Sequence, residues 1–172
     1  TPAGYADAYR QAVAKFDAVH RLTEQIAPKE IQLAQTTADV RRIAQTGRQI
    51  AVIGIENGYP IGTDLSRVRE FYERGARYMG LAHTGHNQLA DSHSGEATTE
   101  APNNGISMLG RNVIAEMNRL GMMVDISHMS RMPLVCLLAL ALLPPANALQ
   151  WSPATPIGQP AYPPVTAVAA SS

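Results

Sequence analysis

Three segments of the sequence are typical of buried strands, and each ends in a side chain that can bind a metal ion or transfer a proton. The segments are 49–56, 77–83 and 122–128, and they end in Glu56, His83 and His128. Carboxylates and neutral imidazoles are ligands of zinc, and the end of a strand holds such a side chain in a fixed position. If the strands are parallel, their carboxyl ends share one edge, so we expect these three side chains to converge there.

Segments with helical patterns lie between these strands and before them. Apolar residues at helical spacing predict helices over 5–25, 39–45, 64–74 and from Ser107 to Gly121, with a long polar loop at 84–106. The alternation of strand and helix predicts an α/β fold with a parallel sheet. Because both glycine-rich phosphate-binding fingerprints are absent, the pattern favours a barrel over a doubly wound nucleotide-binding sheet.

Composition narrows the possible functions. The chain has 172 residues, 14 basic and 14 acidic side chains and no net charge, which gives no indication of a nucleic-acid partner. Its single cysteine, Cys136, excludes an internal disulfide framework. No segment reaches the roughly 18 apolar residues that a membrane span needs. The sequence gives no prediction of cellular location.

Each candidate residue also has a structural explanation, and both explanations stay open at this point. Glu56 could accept hydrogen bonds from the following turn, and His128 could be a hydrogen-bonded histidine at the edge of the core. We expect His86, His93 and Asp91 to be solvated loop side chains. Asp125 and His20 are given no catalytic role: a carboxylate within a strand often bonds nearby backbone, and His20 lies in the first helix.

Longer strings around the candidate residues resemble the membrane (renal-type) dipeptidases, peptidase family M19. They read Ile53-Gly-Ile-Glu56-Asn-Gly58, then Leu65…Phe71-Tyr72-x-x-Gly75-x-Arg77-Tyr78-x-x-Leu81-x-His83, then Gly105-Ile-Ser107…Gly110-Arg111…Glu116-Met-Asn118-Arg119-Leu120-Gly121-Met-x-Val124-Asp125-Ile-Ser127-His128-x-Ser130. The match extends from about Thr36 to Ser130. Several separated motifs in the family's order make the resemblance specific.

The resemblance implies a (β/α)8 barrel that holds two zinc ions (Zn2+) and hydrolyses dipeptides, in a family whose members are often homodimers. By this resemblance Glu56 matches the carboxylate that bridges the two metals, and His128 matches a ligand of the second zinc. His83 matches the catalytic histidine that contacts the substrate and steadies the tetrahedral intermediate. The chemistry is coherent, because two metal ions about 3.5–4 Å apart can share and activate a water molecule.

The sequence also departs from the family pattern. It contains no His-x-Asp motif for the first zinc, and the family's later ligands have no counterpart after His128. A barrel of this type needs about 250 residues, so we expect a partial barrel, about half of one, in a truncated chain that is unstable and inactive on its own. We predict an incomplete dipeptidase domain over 1–130 and an apolar, then Pro/Ala/Ser-rich, tail over 131–172 that is disordered or misframed.

Two other functions remain open at the level of sequence. One is a different metal-dependent amidohydrolase with the same type of barrel, for which a His-x-His motif after the first strand would be the distinguishing feature. The other is a non-catalytic interaction module, because Pro160-Ala-Tyr-Pro163 matches the Pro-x-x-Pro pattern. Such matches are common by chance.

Overall fold

The computed structural model describes residues 1–96, 101–130 and 165–169. The helices are α1 (Pro2–Arg21), α2 (Thr37–Ala44), α3 (Ser66–Glu73), α4 (His93–Glu96) and α5 (Met108–Leu120), with a π-helical turn at Leu22–Ile26 and a 3-10 turn at Tyr59–Ile61. The strands are β1 (Ile31–Leu33), β2 (Gln49–Ile55), β3 (Ala76–Gly80), β4 (Met123–Asp125) and β5 (Val165–Ala169).

The sheet has the sequential parallel order of a barrel wall. Its strands lie in the order β1–β2–β3–β4, and all of these pairs are parallel. The helices α2, α3 and α5 connect them, and β5 pairs in parallel with β2. A doubly wound sheet reverses its strand order at a switch point, whereas a (β/α)8 barrel adds each new strand beside the last. The predicted α/β fold and partial barrel are therefore confirmed.

Two of the described strands were not predicted from the sequence. Strand β5 lies within the 131–172 tail, where no strand was expected. Strand β1 has three residues, too few for a periodic pattern, and it pairs with the start of β2 from Ile31 opposite Gln49. The predicted helices are all present. Helix α3 begins at Ser66, two residues after the predicted start at position 64, and no side chain caps it. Asp64 Oδ1 instead accepts a hydrogen bond of 3.0 Å from the amide of Ser66.

The core lies between the helices and the outer face of the sheet. It combines apolar strand residues such as Ile53, Ile55 and Met79 with the inner sides of α1, α3 and α5. The apolar residues at helical spacing in α5 face the core: Val113, Ile114 and Met117 are buried, and Leu109 and Leu120 pack against the same cluster. The helix ends also follow the prediction: Ser107 Oγ accepts from the amide of Gly110 at 2.9 Å, and Gly121 is left-handed with φ 74°.

We expect Phe71→Ala to lower the free energy of unfolding by about 3–5 kcal/mol, the usual cost of a large cavity in a core. Phe71 is fully buried, and its ring stacks on Phe16 at 5.4 Å and on Tyr9 at 6.0 Å between centroids. Urea unfolding followed by circular dichroism measures the change. Leu65→Ala is the matched control, since Leu65 is 37% exposed and should cost under about 1 kcal/mol. Equal losses in both variants would contradict this account of the core.

Strand β4, at the end of the β1–β2–β3–β4 order, and the residue after it carry exposed apolar side chains. Met123 is 62% exposed and Ile126 is 48% exposed. A partial barrel is expected to leave such apolar side chains and a strand edge uncovered. Within the described ranges, no helix is long and apolar enough to cross a membrane. The predicted apolar stretch of the tail, Leu134–Leu143, lies outside the described residues.

Candidate metal centre

The three strand-end side chains meet at one edge of the sheet. Glu56 follows β2 directly, while His83 and His128 each lie three residues beyond the ends of β3 and β4. One potential ligand atom from each residue lies within 4.8 Å of the other two, and His83 Nε2 is 3.2 Å from Glu56 Oε1. The predicted convergence is therefore confirmed. Among the residues that the structure describes, this is the one group of three His, Cys, Asp or Glu side chains so arranged.

The cluster is open to solvent. The side chains of Glu56 and His83 are 36% and 30% exposed, and the rings of His83 and His128 meet edge to face with centroids 4.5 Å apart. A substrate could therefore reach these groups without displacing core side chains.

The ends of β2 and β3 approach closely because position 80 is a glycine. A Cβ atom at Gly80 would lie 2.6 Å from the backbone oxygen of Glu56, which is too close for any side chain. The two following loops are also tied together, since Asn87 Nδ2 donates to Asn57 Oδ1 at 2.9 Å and to the Leu81 carbonyl at 2.6 Å. These contacts fix the Glu56 and His83 segments relative to each other.

His128 is held in an unusual backbone conformation. Its φ is 64°, in the left-handed region. This conformation costs about 1–3 kcal/mol for a residue other than glycine. The surrounding bonds favour the turn: Ser127 donates its amide to Asp125 Oδ1 at 2.8 Å, and His128 accepts from the amide of His93 at 3.0 Å. This turn follows β4 and brings the side chain of His128 close to those of Glu56 and His83.

The loop between β3 and α5 corrects one expectation. Asp91 and His86 were expected to be solvated, but Asp91 is fully buried and the His86 side chain is only 10% exposed. Asp91 accepts hydrogen bonds of 2.8–3.1 Å from the amides of Asn103 and Gly105 and from Asn103 Nδ2. The carboxylate is buried because the loop folds around it and supplies the hydrogen bonds that a buried charge requires.

The other residues considered in the sequence analysis lie beside the cluster or away from it. His93 is exposed, as predicted, and its ring stacks on His128 with centroids 6.2 Å apart. Asp125 accepts the turn bond described above, in agreement with a structural role. His20 lies in α1, outside the cluster. Its ring nitrogens lie 2.9 Å from Glu24 Oε1 and 2.9 Å from the Arg74 carbonyl oxygen.

A tyrosine that sequence analysis passed over lies near the cluster. Burial raises the pKa of Tyr78, and the nearby carboxylates of Asp125 and Glu56 raise it further. The phenol therefore stays neutral near physiological pH. Nothing in the sequence pattern of β3 distinguishes this aromatic residue from an ordinary strand residue.

The donor set suits a divalent cation such as zinc. One carboxylate and two imidazoles are typical ligands of catalytic zinc, with bonds of about 2.0–2.2 Å. Ligand atoms around one such ion are separated by about 3.3 Å, given those bond lengths. The ligand atoms of all three side chains, including the pair Glu56 and His128, lie within 4.8 Å of one another, so small side-chain shifts would bring them to this spacing.

Comparisons with known proteins identify the family of this chain. The family model of the membrane dipeptidases (peptidase family M19) matches residues 1–146. Dipeptidase tcpJ of Claviceps purpurea is 36% identical over 136 residues, which are 78% of this chain and 31% of the relative. Dipeptidase aclJ of Aspergillus oryzae is 40% identical over 123 residues, 70% of this chain and 28% of the relative. The chain thus spans about a third of the length of these relatives.

Solved structures give the same result. The probable dipeptidase PvdM from Pseudomonas aeruginosa has a TM-score of 0.66 and 30% identity, over 71% of this chain and 31% of that one. A metallopeptidase from Rhodobacter sphaeroides, solved with a phosphinate mimic of the dipeptide L-Ala-D-Ala, has a TM-score of 0.57 and 27% identity, over 67% of this chain and 33% of that one. The chain belongs to the membrane dipeptidase family, peptidase family M19.

Proposed function

We propose that this chain supplies part of the active centre for zinc-dependent hydrolysis of dipeptides. The convergence of Glu56, His83 and His128 at the carboxyl ends of parallel strands is the observation that carries the proposal. Active sites of α/β barrels lie at that end of the strands. The dipeptidase relatives lend support, and the amidohydrolase from Pseudomonas aeruginosa, at 24% identity, supports only the fold.

We propose that Glu56 and His128 would hold zinc, Glu56 through its carboxylate and His128 through its imidazole. When bound, zinc would polarise the scissile carbonyl and lower the pKa of a bound water. His83 is proposed to donate a hydrogen bond to the oxygen that becomes negative as the carbonyl carbon turns tetrahedral. Such a donor acts best when its position is fixed beforehand. The bonds that fix the backbone on both sides of His83 support this role.

The dipeptide is proposed as substrate for two reasons. The fungal relatives are named dipeptidases, and the Rhodobacter sphaeroides metallopeptidase binds a phosphinate mimic of L-Ala-D-Ala. A phosphinate is tetrahedral and anionic, so it resembles the hydrated carbonyl in the transition state. The side chains of Glu56 and His83 are partly exposed, so such a group could reach them from solvent.

The 172-residue chain is proposed to bind zinc without turning over dipeptides by itself. Catalytic zinc usually has three protein ligands per ion, so a two-ion centre needs more ligands than the three side chains gathered here. Homodimerisation and a domain limit near Ser130 are further proposals for this chain. Light scattering of the purified chain would test the first, and limited proteolysis would test the second.

Binding of the phosphinate mimic tests the proposed substrate class without requiring turnover. We expect the zinc-loaded chain to bind the L-Ala-D-Ala phosphinate in a calorimetric titration. His83→Ala should weaken that binding about 10- to 100-fold, the value of a hydrogen bond to a charged group, while zinc affinity changes less. His20→Ala is the control, because His20 pairs with Glu24 outside the cluster. Zinc binding without any phosphinate binding would contradict the proposed substrate.

A further inference from the structure

We propose that Ser92 is a positioning residue for the metal centre, which holds the segments of His83 and His128 in a fixed relation; this inference rests on the proposed zinc site. Ser92 is fully buried, and its side chain lies outside the group of candidate ligands. Its hydroxyl donates a hydrogen bond to the backbone carbonyl of His83. One end of the contact is therefore a candidate catalytic residue.

The backbone around Ser92 makes the second connection. Ser92 forms an isolated antiparallel bridge with Met129, next to His128. On either side of this bridge, the amide of His93 donates to the His128 carbonyl at 3.0 Å, and the amide of Ser130 donates to the Asp91 carbonyl at 2.9 Å. Residues 91–93 thus join the loop after β3 to the turn after β4. His83 and His128 are 45 positions apart in the numbering, and this short segment contacts the backbone of both.

The segment is itself held from the other side. The amide of Ser92 donates to His86 Nδ1 at 3.1 Å, and the amide of Ser94 donates to Ser92 Oγ at 3.2 Å. The neighbouring carboxylate of Asp91 accepts bonds from Asn103 and Gly105, as described above. These contacts restrict both the backbone and the hydroxyl of Ser92. Residues 92 and 93 therefore connect the His83 backbone to the His128 backbone.

The strain at His128 indicates why such a connection is needed. A left-handed histidine persists only where its surroundings compensate for the cost of the conformation. The antiparallel bridge between Ser92 and Met129 supplies one hydrogen bond to the His128 carbonyl and one from the Ser130 amide, so it holds the backbone that follows His128. Without the bonds of its hydroxyl to the His83 carbonyl and the Ser94 amide, residue 92 would fix the 91–93 segment less firmly. The turn that carries the proposed ligand His128 is bonded to this segment and would therefore be less well positioned. A ligand that is less well positioned binds its metal less tightly.

Zinc and cobalt titrations of Ser92→Ala in the full 172-residue chain test the inference. We expect the variant to bind zinc about 10- to 100-fold more weakly than the unmodified chain, the usual effect of losing a group that orients a ligand. At saturating Co2+ its visible absorption spectrum should differ from that of the unmodified chain, because the ligand geometry has changed. A role confined to folding would leave the spectrum of the folded, saturated protein unmoved.

Ser107→Ala is the matched control. It also removes a serine hydroxyl bond in the same loop, from Ser107 Oγ to the Gln88 carbonyl at 2.6 Å, but contacts neither histidine. We expect it to lower thermal stability while leaving zinc affinity and the Co2+ spectrum unchanged. If Ser92→Ala does not fold, Ser92→Cys keeps a similar volume with a much weaker donor and supplies the same comparison.

The outcomes separate this inference from the proposed function. If a folded Ser92 variant has the same zinc affinity and Co2+ spectrum as the unmodified chain, the positioning role is overturned and the proposed zinc site is not. The same changes in Ser107→Ala would also overturn it, because they would then report general loosening of the loop. An unmodified chain that binds neither metal would overturn the zinc site itself, and the positioning role with it.

Discussion

Replacing Glu56 by glutamine is expected to weaken zinc binding by about 10²- to 10³-fold. A four-ligand zinc site contributes about 10–16 kcal/mol of binding free energy, or roughly 2.5–4 kcal/mol per ligand if shared equally. Glutamine keeps the size of the side chain and removes its charge, so the loss reports on the carboxylate. Glu56 also faces His83 at 3.2 Å, and it is the only acidic member of the cluster. Calorimetric titration with zinc measures the effect.

The control for this variant is Glu24→Gln. Glu24 also pairs with a histidine, since its Oε1 lies 2.9 Å from His20 Nδ1, but its side chain is 63% exposed and lies in the π-helical turn after α1. An isolated surface pair has too few ligands for tight zinc binding. We expect no change in affinity from Glu24→Gln. A larger loss from Glu24→Gln than from Glu56→Gln would place the zinc site elsewhere.

Adding one methyl group at Gly110 is expected to lower the free energy of unfolding by about 2–3 kcal/mol, near the upper part of the usual cost of overpacking. A Cβ atom there would lie 2.1 Å from the backbone oxygen of Leu89 and 2.9 Å from Ile106 Cγ2. The backbone oxygen cannot rotate away as the end of a side chain can. Helix α5 would have to move away from the loop that contains Asp91.

Thermal and urea unfolding of Gly110→Ala, compared with Gly85→Ala, measure this effect. Gly85 lies in the same loop, has no positive φ, and a Cβ atom there would meet nothing within 4 Å. The Gly85 variant should change stability by less than about 0.5 kcal/mol. If both alanine variants unfold at the same denaturant concentration, the close packing of α5 on the loop is wrong.

The regular elements could be predicted because their signals are local. The apolar, β-branched run of β2 and the helical spacing in α5 each identify an element without knowledge of its partners. The position of Glu56, His83 and His128 after strands then predicted their convergence, since parallel strands end at one edge. This inference needed only the order of the elements and the rule that crossover connections between parallel strands are right-handed.

The supporting part of the site could not be predicted because its contacts are not local in sequence. The composition of the 84–106 loop is polar, which indicated solvated side chains. Asp91 is buried instead by bonds to residues 12 and 14 positions further along the chain. No periodic pattern marks Ser92 as the residue that joins two strand ends. The left-handed turn at His128 likewise depends on partners from the loop.

Anomalous scattering at the zinc edge, from crystals of the chain grown with zinc, is the most direct test of the proposed metal centre. We predict a peak at about 2.0–2.2 Å from ligand atoms of Glu56 and His128, with His83 beside it. Ligand atoms of Glu56, His83 and His128 already lie within 4.8 Å of one another, so only small side-chain movements are required. A zinc peak at His20 and Glu24, or none near the ends of β2 and β4, would contradict the account.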